Sequence, residues 1–152
     1  MIKNIFLSPL FIALAIFNNS CIKESCNEDT EVLMRAVFYS SESGEQLSID
    51  SLDIYGLNIP DSVICSMSTL KNIDLPLNPS APNCSFVIVN HGRADTIEIY
   101  YKSSLKLLSS ACGYIYLHEL EEVLFTTNDI TNILITNKPV HPGDEENIQI
   151  FF

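Results

Sequence analysis

The residues of this sequence best suited to chemistry are five cysteines and three histidines. Cys21 directly follows an apolar run, and the other four cysteines are spread along the chain at positions 26, 65, 84 and 112. No two of those four lie within ten residues of each other, which excludes a zinc site of the CxxC type. In an oxidising compartment four cysteines can pair in three ways, and the residues alone leave the pairing open.

The histidines do not complete a known catalytic or metal-binding motif. His118 and Glu119 begin like the zinc-binding pattern H-E-x-x-H, but Glu122 occupies the place of the second histidine. We expect His118 to be a surface histidine beside solvated carboxylates. His91 and His141 lie in turn and loop sequences, and the patterns G-x-S-x-G, G-x-G-x-x-G and Walker A are missing. We predict no enzyme, no metal and no cofactor, with a catalytic triad assembled across the fold as the open alternative.

A short acidic segment offers oxygen ligands for a hard cation. Asp144, Glu145 and Glu146 follow Gly143, and together with Asp129 or a nearby carbonyl they could hold calcium. The EF-hand spacing is missing. We therefore favour an acidic turn that caps the last strand over a calcium site.

The first twenty residues have the architecture of a signal peptide. Lys3 supplies a positive charge, residues 5–17 form an apolar run, and Ser20 leads into Cys21. As a helix this run would span roughly 20 Å, which is short of the roughly 30 Å hydrocarbon core of a bilayer. The sequence predicts a cleaved signal peptide at 1–20 and no permanent membrane span.

A small residue directly before a cysteine at the end of such a run resembles the lipobox of bacterial lipoproteins. The resemblance implies that Cys21 is lipidated, becomes the new N-terminus and anchors the protein in a membrane. Lipidation would also explain the odd cysteine count, since it leaves four cysteines. The alternative is ordinary secretion with Cys21 as a disulfide partner.

The charge balance limits the choice of partners. The net charge is −11, and removal of Lys3, the only charged residue before Cys21, gives −12 for the mature part. Nucleic-acid binding requires clustered Lys and Arg, whereas the basic residues here are scattered singly. The balance argues against nucleic acid and against adsorption to anionic lipid.

Residues 21–30 are predicted to form a polar, lipidated tether. Lys23 and Glu24, followed by Glu28 and Asp29, resemble the charged export signal that sends some Bacteroidetes lipoproteins to the outer face of the outer membrane. The resemblance implies an outer-membrane location, with the domain facing the periplasm or the cell surface.

From residue 31 onward the chain consists of short runs rich in β-branched and aromatic residues, divided by Gly, Pro, Asn, Ser and Asp. Ile97, Ile99 and Tyr101 alternate with Thr96, Glu98 and Tyr100, a period typical of a half-buried strand. The connections have hairpin length and leave no room for helical crossovers. The predicted fold of 31–152 is therefore all-β, an antiparallel β-sandwich of the immunoglobulin type or similar. Strands are expected at 31–40, 47–56, 61–67, 70–77, 85–90, 95–102, 111–125, 129–136 and 146–152.

Three local features refine this prediction. Pro76 lacks a hydrogen-bond donor, which should place its strand at a sheet edge or limit its pairing to its first half. Phe151 and Phe152 indicate that the last strand lies inside a sheet, because a frayed end would expose both rings. Residues 118–125 could form two helical turns, but their strand-like neighbours favour a strand bent at Glu121 and Glu122.

Five short motifs follow one another along the chain: D-S-V at 61–63, I-x-L-P-L-N-P at 73–79, D-T-I-x-I-x-Y at 95–101, S-x-C-G-Y at 110–114 and E-E-N-I-x-I-x-F at 145–152. Together they resemble a family of small Bacteroidetes lipoproteins whose domain has no known function. The resemblance covers most of 31–152 and implies an envelope lipoprotein with a β-sandwich domain. It also implies a disulfide between Cys26 and Cys112. Cys65 and Cys84 would then form a second bridge or remain buried thiols.

Two functional hypotheses follow. The first is a non-enzymatic cell-envelope lipoprotein that binds or scaffolds another envelope component. The second is a small glycan- or peptide-binding protein, or a hydrolase with a cryptic site, which needs a concave pocket with converging polar groups. A flat, fully packed sandwich would favour the first hypothesis. A pocket that gathers His118, Glu121 and tyrosines would favour the second.

Overall fold

The structure of the protein is a computed structural model. It describes residues 25–57 and 59–152, with the backbone alone described at 59–61. The predicted signal peptide at 1–20, the lipidation site Cys21 and the first part of the tether lie outside the described residues. Within the described part of the chain, no helix has the length and apolar character needed to cross a membrane.

The described residues form ten strands and no helix. Each of the nine predicted strand regions contains a strand, and a two-residue strand at 139–140 is added. The largest difference is the sixth strand, which continues to Ser109 instead of ending near residue 102. The strands are β1 (Leu33–Tyr39), β2 (Ile49–Gly56), β3 (Ile59–Leu70), β4 (Asn72–Pro76), β5 (Asn83–Asn90), β6 (Arg93–Ser109), β7 (Gly113–Phe125), β8 (Asn132–Ile135), β9 (Pro139–Val140) and β10 (Glu146–Phe151).

The strands form two sheets that pack face to face, so the predicted all-β sandwich is confirmed. One sheet has the order β4-β1-β10-β8, and the other has the order β3-β2-β5-β6-β7-β9. The pair β1 and β10 is parallel, whereas the other described strand pairs are antiparallel as expected. A hairpin turn forces its two strands to be antiparallel, but β1 and β10 are not joined by one.

The core lies between the sheets and is built by the alternation read from the sequence. Ile97 and Ile99 are fully buried, and Tyr101 is 2% exposed. From the other sheet, Phe38 is fully buried, and its ring packs perpendicular to the Phe152 ring at a centroid distance of 5.7 Å. Removal of such apolar surface from water is the main stabilising contribution, at about 25 cal/mol per Å².

The three refinements of the fold are also confirmed. Pro76 ends β4, which is an edge strand of its sheet. The last strand, β10, lies between β1 and β8. Residues 118–125 belong to β7, and Glu121 is an extra residue in that strand because Tyr100 pairs with Glu122 while Tyr101 pairs with Leu120. Such a bulge bends the strand at the expected place.

A buried carboxylate holds the connection from β7 to β8. Asp95 is 2% exposed and accepts hydrogen bonds from the Thr126 hydroxyl at 2.6 Å and from the backbone N–H groups of residues 128, 129 and 130 at 2.7–2.9 Å. Burial by itself would raise the pKa of this carboxyl, but the four hydrogen bonds hold the pKa below its ordinary value. The sequence contained a signal for this burial, because Asp95 lies two residues before Ile97 and therefore on the same, core-facing side of the strand.

Candidate functional site

The second half of β6 and the first half of β7 form a two-stranded arm beyond the strands that flank them in the sheet. The last pair between β5 and β6 is Asn83 with Tyr100, and β9 pairs with β7 at His118 and Glu119. In the described part of the chain, residues 103–117 therefore pair across this one hairpin alone. At about 3.3 Å per residue the arm is roughly 20 Å long. We call residues 103–117 the arm.

The arm carries four exposed apolar or aromatic side chains on one face. Leu105 lies opposite Tyr116, and Leu107 lies opposite Tyr114, so alternation places all four on the same side of the hairpin. Their exposed fractions are 56%, 45%, 54% and 66%, respectively. We call these four residues the arm patch. Contiguous exposed apolar surface is typical of interaction sites, so the arm patch is a candidate for one.

The sequence did not predict the arm patch, because the strand expected at 95–102 ends before the arm begins. The alternation of Ser104, Leu105, Lys106 and Leu107 is the signal that could have extended it. Alternation alone would still have assigned the two leucines to the core. It shows which side chains share a face of the strand, but it does not show whether another layer covers that face.

A disulfide fastens the N-terminal segment to the tip of the arm. Cys26 and Cys112 are bonded with their Cα atoms 4.7 Å apart, which is the pair that the family resemblance implies. Cys112 lies directly before the first residue of β7 and two residues from Tyr114. The predicted tether 21–30 is thus fixed to the domain at residue 26.

The second bridge, Cys65 with Cys84, does not form, and both side chains are free, half-buried thiols. Cys65 pairs with Ile54, which pairs with Ile88 on β5. Cys84 lies four residues before Ile88 on that strand, which displaces it by about 13 Å along the strand direction. It is also two strand spacings away from β3 across the sheet. Disulfides require Cα atoms within about 7 Å. The sequence could not reveal this distance because it does not give the order of the strands.

Cys84 instead joins a small polar cluster at the edge of the core. Its sulfur lies 3.0 Å from the Tyr101 hydroxyl, which donates a hydrogen bond of 2.8 Å to the carbonyl of Asn78. Burial, followed by the contact with Cys84, raises the pKa of Tyr101. Tyr101 therefore stays a neutral hydrogen-bond donor at any ordinary pH.

An open cleft of about 470 Å³ lies beside the base of the arm. It is formed between the arm, the segment that leads into β1 and the turn after β4. Its lining combines apolar and aromatic side chains with a single imidazole. Residues that line it include Thr30, Val32, Leu77, Tyr114, Tyr116 and His118.

The expectation that His118 is a surface residue is wrong. His118 is 5% exposed, and its ring packs nearly perpendicular to the Tyr101 ring at a centroid distance of 5.2 Å. The physical reason is strand parity, because His118 pairs with Ser103 on the core-facing side of β6, the side of Tyr101. Burial lowers the pKa of His118, so the imidazole is neutral near pH 7.

The pocket of His118, Glu121 and tyrosines that would favour the second hypothesis is present in part. The cleft gathers His118 with Tyr114 and Tyr116, whereas Glu121 pairs with Lys102 on the exposed side of the sheet. The Ser103 hydroxyl lies 2.9 Å from His118 Nδ1, a distance that fits a nucleophile and its base. Among the described residues, no carboxylate hydrogen-bonds to this ring to complete a triad. His91 and His141 are both exposed.

The acidic residues weighed as calcium ligands contact different cationic partners. Asp144 pairs with Arg35 at 3.0 Å, and Asp129 pairs with Arg93 at 3.0 Å. Arg35 also makes two hydrogen bonds of 2.8 Å to Asp74, which ties β1 to β4. In the part of the chain that the structure describes, no group of three or more His, Cys, Asp or Glu side chains is arranged to hold a metal.

The model of one protein family matches residues 51–152, and its description is Family of unknown function (DUF6452). This range includes the whole arm and Cys112, whereas β1 and Cys26 precede it. No curated protein and no solved structure gives a significant match to the chain.

Proposed function

The chain belongs to this family of unknown function, and we propose from its own residues that it is a lipid-anchored protein of the bacterial outer membrane. In this proposal it binds another envelope component and catalyses no reaction. The observation that carries the proposal is the disulfide between Cys26 and Cys112. Disulfides of this kind persist in oxidising compartments, which agrees with export by the signal peptide at 1–20.

The position of the bridge also supports an anchor at Cys21. Cys26 is five residues after Cys21, and a chain of that length spans at most about 18 Å. With Cys26 and Cys112 bonded and two thiols half-buried, Cys21 is the remaining cysteine. Lipidation gives this cysteine a defined chemical role.

The distribution of exposed apolar side chains supports a binding role. Besides the arm patch, Val63 and Met67 on the edge strand β3 are 57% and 72% exposed. The register of β3 against β2 shifts at several places, and such bulges disfavour pairing with an added strand. The edge of β3 would therefore contact a protein partner through its side chains.

The anchor is tested by membrane fractionation of the Cys21→Ser variant. We expect this variant to leave the membrane fraction and the wild type to remain there, because the lipid would be the main attachment of an acidic domain. Cys65→Ser is the matched control, since it removes a cysteine that forms no bridge. Unchanged membrane retention of Cys21→Ser would refute lipidation.

The partner and the exposed side are tested in intact cells. A tagged protein is captured from cells with its partners, in parallel with a Val63→Ser/Met67→Ser variant. We expect the double variant to lose a protein that the wild type retains. Protease added to intact cells should cleave the domain if it faces outward. Capture of identical proteins by both forms would contradict a partner site on β3.

The cleft beside the arm favours a second candidate function, the binding of a small glycan or peptide. Two tyrosines and a neutral histidine converge there on an open space large enough for a small ligand. Titration with short peptides and oligosaccharides, followed by amide NMR, tests this candidate. Tyr116→Ala should abolish any shifts, whereas Leu124→Ala, an exposed change elsewhere on β7, should not.

A further inference from the structure

We propose that the arm patch lies in the interface of the membrane that holds the lipid anchor, so that the domain contacts the bilayer at two points. This inference rests on the proposed lipidation of Cys21. In this proposal the apolar face of the arm contacts a phospholipid bilayer, at the boundary between its headgroups and its acyl chains.

The first argument is reach. Cys26 can lie at most about 18 Å from a lipidated Cys21. The disulfide brings Cys112 to within 4.7 Å of Cys26, measured between Cα atoms. Leu107 and Tyr114 lie five and two residues from Cys112, on the two strands that meet at this tip. The bridge therefore keeps the tip of the arm near the membrane surface, whatever path residues 22–25 follow.

The second argument is chemistry. Tyrosine is enriched at membrane interfaces because its ring is apolar and its hydroxyl stays in water, and leucine is favourable deeper in the bilayer. The arm patch combines two residues of each kind on one face of a hairpin that pairs with no further strand among the described residues. Lys106 lies opposite Ile115 on the other face, so no charged side chain interrupts the patch.

The third argument concerns the kind of lipid. The mature chain has a charge of −12, and Glu28 and Asp29 are exposed close to the bridge. Attraction to anionic headgroups would need clustered basic residues. The contact is therefore made by apolar burial in a zwitterionic surface, with the carboxylates left in water.

The absence of Trp from the sequence allows a site-specific fluorescence test. The full lipidated protein is prepared as Leu107→Trp and, separately, as Leu124→Trp. Both leucines are about half exposed, at 54% and 45%. Leu124 lies ten residues along β7 from Tyr114, about 30 Å from the tip, and is the matched control. Each variant is reconstituted into phosphatidylcholine vesicles with and without bromine on the acyl chains.

We expect bromine to quench the Leu107→Trp variant roughly twofold, because side chains in the interface lie about 5–10 Å into the boundary of headgroups and acyl chains. The Leu124→Trp variant should not be quenched. If Leu107→Trp sediments with vesicles but is not quenched, the patch faces water or a protein, and the inference fails while the anchor stands. Equal quenching of both variants also overturns it. If neither protein sediments with vesicles, the anchor and the inference fail together.

Discussion

The same two strands, β6 and β7, behave differently in the body of the sandwich and in the arm. In the body, Ile97, Ile99 and Tyr101 are at most 2% exposed because the second sheet covers them. In the arm, Leu105 and Leu107 continue the same alternation but are more than half exposed. Strand alternation therefore defines which side chains share a face, and the neighbouring layer decides whether that face becomes core or surface.

The two regions also differ in what holds them in place. The body is stabilised by burial between two sheets and by satisfied buried polar groups such as Asp95. The arm is a two-stranded hairpin, and such hairpins are marginally stable in water. Its tip is fixed by the disulfide of Cys112 to Cys26. Changes in the two regions should therefore have different effects on stability.

The largest effect is expected from removal of the bridge. The Cys26→Ser/Cys112→Ser variant should lower the free energy of unfolding by about 4 kcal/mol, since the closed loop of 86 residues restricts the unfolded chain. Urea unfolding under non-reducing conditions measures the change. Cys65→Ser is the control and should shift the midpoint far less. A double variant as stable as the wild type would mean that the bridge does not constrain the unfolded chain.

Truncation of a side chain in the body should lower the free energy of unfolding several times more than truncation of a side chain in the arm. Ile97→Ala leaves a cavity between the sheets and should destabilise by about 3 kcal/mol. Leu107→Ala removes an exposed side chain and should change stability by less than about 0.5 kcal/mol. Urea unfolding of the two variants gives the ratio directly. Equal losses would show that the arm is covered in solution.

Loss of the Asp95 charge should destabilise the body by about 2 kcal/mol, because Asn cannot accept all four hydrogen bonds made to the carboxylate. The pKa of Asp95 is lowered in the folded state. Its contribution is therefore fully present above the unfolded pKa of about 3.9 and is lost as the pH falls through the folded pKa. Thermal unfolding between pH 2 and pH 6 should show that the wild type loses stability as the pH falls. The Asp95→Asn variant should lose less stability over the same range. Identical pH profiles would contradict this role.

The smallest effect concerns His118, at the junction of body and arm. Burial lowers its pKa in the folded state, so the unfolded chain binds a proton more readily. Stability should therefore fall as the pH drops below the unfolded pKa of about 6.5. His118→Gln should flatten the profile between pH 5 and pH 7. His141→Gln, a change at an exposed histidine, is the control and should leave the slope intact.

The sequence predicted the features that depend on local chemistry. The strand positions, the edge position of Pro76, the bend at Glu121 and the inward face of Ile97 all follow from side-chain period and backbone donors. The parallel pairing of β1 with β10 could not be predicted, since no turn joins these strands. The burial of His118 and the distance between Cys65 and Cys84 depend on which strands become neighbours, which a single sequence does not specify.

The arm patch and the cleft also depend on which strands become neighbours. Tyr114 and Tyr116 lay within a predicted strand, yet nothing in the sequence marks where the second sheet stops covering them. Leu105 and Leu107 carried a strand signal that the prediction did not use. The candidate site was thus hidden because it is defined by an uncovered face and not by a motif.

Peptide mapping of the mature protein, without reduction, tests the central claim most directly. A protease that cleaves before aspartate should release residues 21–28 joined by a disulfide to residues 95–128, which contain Cys112 as their one cysteine. The account predicts that this pair begins at Cys21 and carries the added mass of a lipid. An unmodified Cys21, a chain that still contains residues 1–20, or a peptide with Cys112 as a free thiol would contradict it.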